Sequence, residues 1–546
     1  MSAQIITIPF DEKLLPTRKL STPSLNCLYE HGSLRYVRCG ETEVVRMIYF
    51  AVRDKDWNTV PYQIENESIQ ISEDGFSIRY HALHELNDII YRTEVVIKAE
   101  ADAISFSVKG EAISSFKRNR IGICVLHPID GCAGIPAEIQ TQSATKYIAP
   151  FPTLIAPHQP FRDVKKMEYA VADSVKVSLS FEGDIFETED QRNWADSSFK
   201  TYSTPVDLPM PVDVTPGDKI EQTIGLKITG TSRGSQNSAA HDETTVVFPK
   251  IGYGCTGDDE FNLEELSLLK QLPFDHYRVE LVLYEPKWKK VLQRRLAEAT
   301  QLRSKLELIL FFDDDFEIQL QAFLNEVAEN FTSAVSILPL QKGQAVTPLK
   351  LLQFVYEKMK MAYPLIEIGY GSDGFFADIN RNRPGSEHFD FLSFPLCPQV
   401  HASDSRSLME NLERQRDLYE TAQSFALGKK VHISPVTFKI RTAATGSLPV
   451  AGYDARLHSH FGSMWTLYTI RNLARADRLT FYDTKGILST ATESPLFKLL
   501  QQLKSFDPVK IVEQDASMLN GKVVMENGQG KTLEFDLIHG ADFRNV

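Results

Sequence analysis

No run of this 546-residue sequence approaches the roughly 18 apolar residues that a membrane-spanning helix needs. Positive charge is also scarce, because 59 Lys and Arg face 72 Asp and Glu and leave a net charge of −13. Without a broad cationic surface, neither nucleic acid nor an anionic membrane is expected as a partner. The first residues lack a basic stretch followed by a long apolar one, so a cytoplasmic location is expected.

Cysteine is scarce and scattered. The six Cys residues form no Cys-x-x-Cys pair, so neither a disulfide framework nor a structural zinc site is expected. His458 and His460 resemble a metal-binding pair only by composition, since residues two apart point to different faces of a helix. No metal site is therefore predicted. The remaining composition, 42% hydrophobic and 24% charged, is that of an ordinary globular protein.

The two ends of the chain have strand patterns. Apolar and polar residues alternate over the first 230 residues, as in Val175–Phe181, which predicts an N-terminal antiparallel β-sandwich over 1–230. Small polar residues then predict a linker over 231–245. Strand character returns over 505–546, with Asn527-Gly528 as a hairpin turn, and this C-terminal β segment is predicted to pack on the sandwich.

The central part, 246–504, alternates short apolar strands with segments of helical periodicity. Eight such units match the size of a (β/α)8 or TIM barrel. The clearest helix is predicted over Phe316–Phe331, whereas Phe375–Pro384 is predicted to be extended or irregular. The predicted fold class is therefore multidomain α/β plus β, a central TIM barrel flanked by a β-sandwich and a short β segment. The predicted barrel strands are Ile251–Cys255, His276–Leu283, Leu306–Phe312, Ala334–Leu340, Leu365–Gly371, Asp390–Pro395, Val431–Thr437 and Arg478–Asp483.

Two sequence motifs suggest chemistry that their surroundings do not favour. Segments beginning at Gly252 and Gly369 match a dinucleotide-binding pattern as strings, but strand-end glycines of a barrel explain them better, so no cofactor is predicted. Ser232 lies in a nucleophile-elbow pattern within the polar linker, where no helix follows to expose it. A serine-esterase mechanism is therefore not favoured.

Polar and aromatic residues concentrate in one segment of the β domain and at the predicted strand ends. The segment Glu187–Tyr202 combines carboxylates, Arg, Asn, Lys and aromatic rings, which suit a polyhydroxylated ligand. Barrel active sites assemble at the carboxyl ends of the strands, so the polar groups there are expected to converge. These groups lie in Asn380–Pro384, Pro398–Asp404, Ser434–Arg441 and Tyr482–Thr484.

These residues resemble the bacterial D-apionate lactonases, which hydrolyse D-apionolactone to D-apionate in apiose catabolism. The similarity is carried by Glu187–Tyr202, Asn380–Pro384, Pro398–Ala402 and Ser434–Thr437, and it would cover nearly the whole chain. It implies a β domain, a TIM barrel and a small C-terminal β piece. One departure is Asp483, where we expect Glu in relatives.

The resemblance implies a carboxylic-ester hydrolase acting on a small polyhydroxylated sugar lactone. With neither a nucleophile elbow nor a metal set, we favour metal-independent general acid–base hydrolysis. The base would be His401 or a carboxylate such as Glu189, and Asp483 would orient the base or protonate the leaving oxygen. The cations that would offset the oxyanion are Arg381, Arg383, Lys439 and Arg441. The candidates for recognition of hydroxyl and carboxylate groups are Asp190, Arg192, Asn193, Asn380 and Gln399.

Two other functions remain open from the sequence. A glycoside hydrolase would need two facing carboxylates, about 5–5.5 Å apart for retention and about 6.5–9.5 Å for inversion. The third class is a non-catalytic carbohydrate-binding protein. The sequence does not predict an oligomeric state. The carboxylates considered for a glycosidase pair are Asp313, Asp378, Asp483, Glu189 and Asp190.

Overall fold

The computed structural model describes residues 4–9, 11–172, 175–230, 244–255, 260–327, 331–438, 454–489, 493–513 and 522–538. The chain divides into two units, which we call the barrel unit and the sandwich unit. The barrel unit consists of Met1–Lys13, Arg192–Asp196 and Ala240–Phe543. The sandwich unit consists of Leu14–Gln191, Ser197–Ala239 and Arg544–Val546.

The sandwich unit contains two nine-stranded sheets, which confirms the predicted β-sandwich. Buried and exposed residues alternate along strands such as Ile89–Glu100, and the apolar faces of both sheets form one core. The first sheet runs Phe161–Val164, Phe186–Asp190, Ser198–Ser203, Phe116–Pro128, Thr42–Asp54, Ser33–Cys39, Asn26–Glu30 and Arg18–Ser21, with Val212–Val214 beside Phe116–Pro128. The second runs Lys146–Pro150, Pro136–Gln140, Lys166–Ala172, Val175–Glu182, Lys219–Gly230, Ala103–Ala112, Ile89–Glu100, Gly75–Leu86 and Tyr62–Ile71.

A buried histidine links the two sheets of the sandwich. His127 has no exposed surface, and its ring nitrogens lie 3.0 Å from the Tyr169 hydroxyl and 2.8 Å from Thr201 Oγ1. Both partners are neutral hydroxyl groups, which do not offset a positive charge. Burial lowers the pKa of His127 from 6.5 to about 3. The imidazole is therefore neutral in the folded protein at neutral pH.

Acidification is expected to destabilise the sandwich through His127. Below pH 6.5 the His127 imidazole of the unfolded chain binds a proton, whereas in the folded protein it stays neutral down to about pH 3. The free energy of unfolding therefore falls as the pH falls. The loss is about 1.4 kcal/mol per pH unit in this window. Urea unfolding at pH 7, 6 and 5 measures it, and His127→Gln should flatten the slope. Replacement of the exposed His158 by Gln should leave the slope unchanged. Equal slopes for the two variants would contradict the assignment of the pH dependence to His127.

The barrel unit contains a closed barrel of eight parallel strands, which confirms the predicted TIM barrel. Gly252 and Gly369 allow close packing inside it, because a Cβ there would lie 2.3 Å from the His276 ring and 2.5 Å from the Phe391 ring. This role explains both glycines without a dinucleotide. The strands, in order around the barrel, are Lys250–Gly254, His276–Val282, Lys305–Phe312, Ala334–Gln341, Glu367–Gly371, Phe391–Leu396, Lys430–Val436 and Arg478–Asp483.

The helices differ from the predictions at two places. The helix predicted over Phe316–Phe331 ends at Glu326, and a short helix, Phe376–Arg381, occupies the segment predicted to be irregular. Asp378 starts that helix by accepting the backbone N–H of Phe375 at 2.8 Å. The α-helices of the barrel unit are Leu263–Leu269, Trp288–Leu302, Phe316–Glu326, Leu349–Ala362, Phe376–Arg381, Ser405–Asn411, Gln415–Phe425, His460–Asn472, Thr484–Leu488 and Pro495–Phe506. Short 3₁₀ helices span Gln191–Trp194, Leu412–Arg414 and Ala455–His458.

The C-terminal strands form a five-stranded sheet with two strands from earlier in the chain, and this sheet belongs to the barrel unit. The N-terminal strand Gln4–Pro9 pairs in parallel with Thr532–Ile538, more than 500 residues away in sequence. Asp11 then accepts the backbone N–H groups of His460 and Phe461, both at 2.9 Å. The sheet runs Gln4–Pro9, Thr532–Ile538, Lys522–Asn527, Pro508–Glu513 and Thr244–Val247.

Candidate active site

A histidine–aspartate pair lies beyond the sixth barrel strand. His401 Nδ1 is 2.5 Å from Asp196 Oδ2, and Asp196 Oδ1 accepts a hydrogen bond of 3.2 Å from Asn411 Nδ2. The side chains of His401 and Asp196 are 19% and 8% exposed. A carboxylate at Nδ1 favours the tautomer with its proton there, which leaves the lone pair on Nε2. The pair can therefore take a proton from water through Nε2.

An aromatic ring joins this pair to an arginine. The Trp194 ring lies edge-to-face against His401, with centroids 5.9 Å apart, and against Phe375 at 5.0 Å. The guanidinium carbon of Arg381 is 5.5 Å from the Trp194 ring centroid, within cation–π range. The structure thus brings the predicted His401 and Arg381 to the same aromatic side chain.

Three further predicted residues form one hydrogen-bonded chain. Asn380 Nδ2 donates to Asn193 Oδ1 at 2.9 Å, and Arg383 Nη2 donates to Asn380 Oδ1 at 2.9 Å. Asn193 belongs to the same short segment as Trp194 and Asp196. The helix after the fifth strand and the Arg192–Asp196 segment therefore bring amides and a guanidinium together. These groups bind hydroxyls and carboxylates.

Arg192 is buried and forms an ion pair within the barrel unit, and its role in recognition stays a prediction. Its side chain is 1% exposed, and Nη1 donates to Asp417 Oδ2 at 2.7 Å. Asp417 lies in the first turn of the helix Gln415–Phe425. The ion pair thus holds the Arg192–Asp196 segment within the barrel unit.

Gln399 hydrogen-bonds two residues that follow the seventh strand. Its Nε2 donates to the carbonyl of Phe438 at 2.7 Å and to Asp454 Oδ2 at 2.9 Å. Burial acts to raise the pKa of Asp454, but hydrogen bonds from Arg456 and Gln399 outweigh it and hold the pKa below its ordinary value. Gln399 therefore positions an ionised carboxylate near the strand end.

Two predicted site residues, Glu189 and Asp190, lie in the sandwich unit. Glu189 forms an ion pair with Lys200, and their side chains are 15% and 10% exposed. Asp190 Oδ2 accepts the backbone N–H of Ala156 at 3.0 Å. Both carboxylates thus contribute to the structure of the sandwich, and their roles in the reaction stay predictions.

Three other predicted residues fall outside the described side chains. Lys439 and Arg441 lie outside the described residues, and Asp483 is the last residue of the eighth strand, without a described side chain.

Two carboxylates considered for a glycosidase pair act at helix starts. Asp313 hydrogen-bonds the Gln319 amide, and Asp378 accepts from the Ser372 hydroxyl at 3.0 Å. Burial raises the pKa of Asp378. Asp378 also caps its helix by accepting the Phe375 N–H, and Asp313 accepts the backbone N–H of Asp315 at 3.0 Å just before the helix Phe316–Glu326.

Sequence reasoning left several site residues without a role. Asp196, Trp194 and Asn411 contact His401 or its partner, yet only the first two lay in the segment singled out above. Arg278 and Glu280 point into the barrel from the second strand. The sequence signal that could have found Arg278 and Glu280 was the alternation of polar and apolar residues along that strand, His276–Val282.

Neither a membrane helix nor a metal cluster is found in the described ranges. None of the helices there is long and apolar enough to cross a membrane. No group of three or more His, Cys, Asp or Glu side chains there is placed to hold a metal ion.

The fold and the site define a barrel enzyme, a carboxylic-ester hydrolase with a histidine–aspartate pair beyond its strands. The chain belongs to the D-apionate lactonase family: its N-terminal domain matches residues 6–231 and its TIM barrel domain matches residues 251–508. A relative described as D-apionate lactonase from Brucella anthropi is 29% identical over 492 residues, covering 83% of this chain and 80% of that protein.

Solved structures give weaker similarities. A GH36 alpha-galactosidase from Geobacillus stearothermophilus is 9% identical, covering 94% of this chain and 90% of that chain, with a TM-score of 0.29. A beta-arabinopyranosidase is 9% identical over 94% and 89%, with a TM-score of 0.31. A galactose mutarotase-like protein from Lactobacillus casei is 8% identical over 39% and 100%, with a TM-score of 0.28.

Proposed function

We propose that this protein opens the ring of D-apionolactone to give D-apionate, by general acid–base catalysis that needs no metal ion. The observation that carries the proposal is the bond between His401 Nδ1 and Asp196, with Arg381 on the neighbouring Trp194 ring. The name of the Brucella anthropi relative supports this choice of substrate.

The histidine–aspartate pair supports a direct attack by water. His401 Nε2 accepts a proton as the water oxygen bonds to the lactone carbonyl carbon, and Asp196 stabilises the imidazolium that forms. The carbonyl oxygen then carries the negative charge of the tetrahedral intermediate. When the ring C–O bond breaks, His401 returns the proton to the leaving oxygen. The products are a hydroxyl and a carboxylic acid, which ionises.

Arginines support the charged states of this reaction. Arg381 and Arg383 supply positive charge for the oxyanion and then for the carboxylate product. The amides of Asn193 and Asn380 both donate and accept hydrogen bonds, which suits the hydroxyls of a sugar lactone. Lys439, Arg441, Asp483, Glu189, Asp190 and Gln399 keep their predicted roles as part of this proposal.

Ring opening by the purified protein tests the proposal. Proton release from D-apionolactone, followed by a pH indicator or by NMR, should exceed the spontaneous rate and stay unchanged after treatment with EDTA. Loss of activity on chelation, restored by a divalent cation, would contradict the metal-independent mechanism. Saturable binding without turnover would favour a carbohydrate-binding protein, and cleavage of aryl glycosides would favour a glycoside hydrolase.

A further inference from the structure

A second polar cluster lies inside the barrel, around a buried arginine. Arg278, on the second strand, is 2% exposed, and its Nη1 donates to Ser434 Oγ of the seventh strand at 3.2 Å. Its Nη2 donates to Asp373, after the fifth strand, and to Glu280 at 3.1 Å. The guanidinium therefore crosses the barrel interior and binds two carboxylates with one nitrogen.

Glu280 is the more accessible of the two carboxylates. It lies two residues after Arg278 on the same strand, so both side chains face the barrel interior. The Glu280 side chain is 36% exposed, whereas that of Asp373 is 6% exposed. Asp373 thus completes a buried ion pair with Arg278, and Glu280 presents a carboxylate to solvent near the carboxyl end of its strand.

One residue of this cluster lies close in sequence to a ring that packs beside the histidine–aspartate pair. Asp373 is two residues before Phe375, whose ring is 5.0 Å from the Trp194 ring. Trp194 in turn packs on His401 at 5.9 Å. Because the strand ends of such a barrel meet at one mouth, we expect Glu280 to face the same opening as the His401–Asp196 pair.

We propose that Glu280 binds the hydroxyl groups of the substrate, and that Arg278 is the positioning residue that holds it. The inference rests on the proposed function. A lactone is uncharged, and its hydroxyls are hydrogen-bond donors for which a carboxylate is a strong acceptor. The buried Arg278 offsets the cost of keeping this carboxylate partly out of water.

The experiment compares Glu280→Gln with Glu285→Gln, a control on the exposed turn after the same strand. Two substrates are used: D-apionolactone and γ-butyrolactone, which has the same five-membered ring without hydroxyls. Glu280→Gln should lower kcat/KM for D-apionolactone about 10- to 30-fold, mostly through KM, as expected for a lost charged hydrogen bond. Its kcat/KM for γ-butyrolactone should stay within about twofold of the wild-type value. Glu285→Gln should leave kcat/KM unchanged for both substrates.

A loss shared equally by both substrates would overturn the inference, because it would indicate general damage to the site. An unchanged KM for D-apionolactone would overturn it as well. Binding of the lactone, measured by saturation-transfer NMR, separates this outcome from failure of the proposed function. If the wild-type protein opens no lactone, the proposed function fails, and equal binding by wild type and Glu280→Gln then overturns the role of Glu280 too.

Arg278→Lys tests the positioning role. This variant keeps the positive charge but loses the planar fork that reaches Ser434, Asp373 and Glu280 together. We expect it to raise KM for D-apionolactone about tenfold while kcat stays within about threefold. An unchanged KM in the folded variant would contradict the assignment of Arg278.

Discussion

Replacing His401 by alanine is expected to lower kcat/KM for lactone opening about a thousandfold, with folding intact. The size follows from general acid–base catalysis, which contributes about 10²- to 10⁴-fold. His401 is the group that removes the proton from water and returns it to the ring oxygen in the proposed mechanism. Initial rates at saturating and limiting substrate measure the effect.

A surface histidine supplies the control for this prediction. His388 lies on the same unit, where its Nδ1 is 2.9 Å from Ser386 Oγ, and His388→Ala should leave the rate unchanged. Asp196→Asn should lower kcat about a hundredfold or more, because the amide no longer stabilises the imidazolium. Near wild-type kcat/KM in folded His401→Ala would remove His401 from the mechanism. Testing Glu189→Gln in parallel decides between the two bases that the sequence proposed.

Replacing Arg192 by methionine is expected to destabilise the barrel unit by about 3 kcal/mol and to lower kcat/KM at least tenfold. Removing one partner of a buried ion pair leaves the other charge poorly compensated, which costs about 3–5 kcal/mol for full burial. Asp417 is 15% exposed, so the lower end applies. Trp194 and Asp196 share the segment that Arg192 anchors, so loss of the anchor also disturbs the catalytic pair.

Urea unfolding followed by tryptophan fluorescence measures the stability change, since Trp194, Trp288 and Trp465 all lie in the barrel unit. The matched control is Arg416→Met, which removes an exposed ion pair with Glu420 on the helix that carries Asp417. Its expected cost is below about 0.5 kcal/mol. Equal unfolding midpoints for the two variants would show that Arg192 is not an anchor.

The sequence predicted the elements of the fold better than their assembly. Strand and helix periodicity are local properties, so alternation marked the sandwich and the short apolar runs marked all eight barrel strands. The pairing of Gln4–Pro9 with Thr532–Ile538 has no local signal, because it depends on two distant strand edges. The same limit applies to Asp196 and His401, which are 205 residues apart.

The sequence by itself determined the fold class, the family resemblance and a set of polar residues from which the site is built. Only the tertiary structure decided which of these residues act together. His401 bonds to Asp196, and Arg192 forms a buried ion pair with Asp417. Arg278, Asp373 and Ser434 come from three parts of the barrel and contact one another through the Arg278 guanidinium. The reason is physical: a hydrogen bond or an ion pair depends on distance and burial, and a closed barrel sets both between residues that the chain keeps far apart.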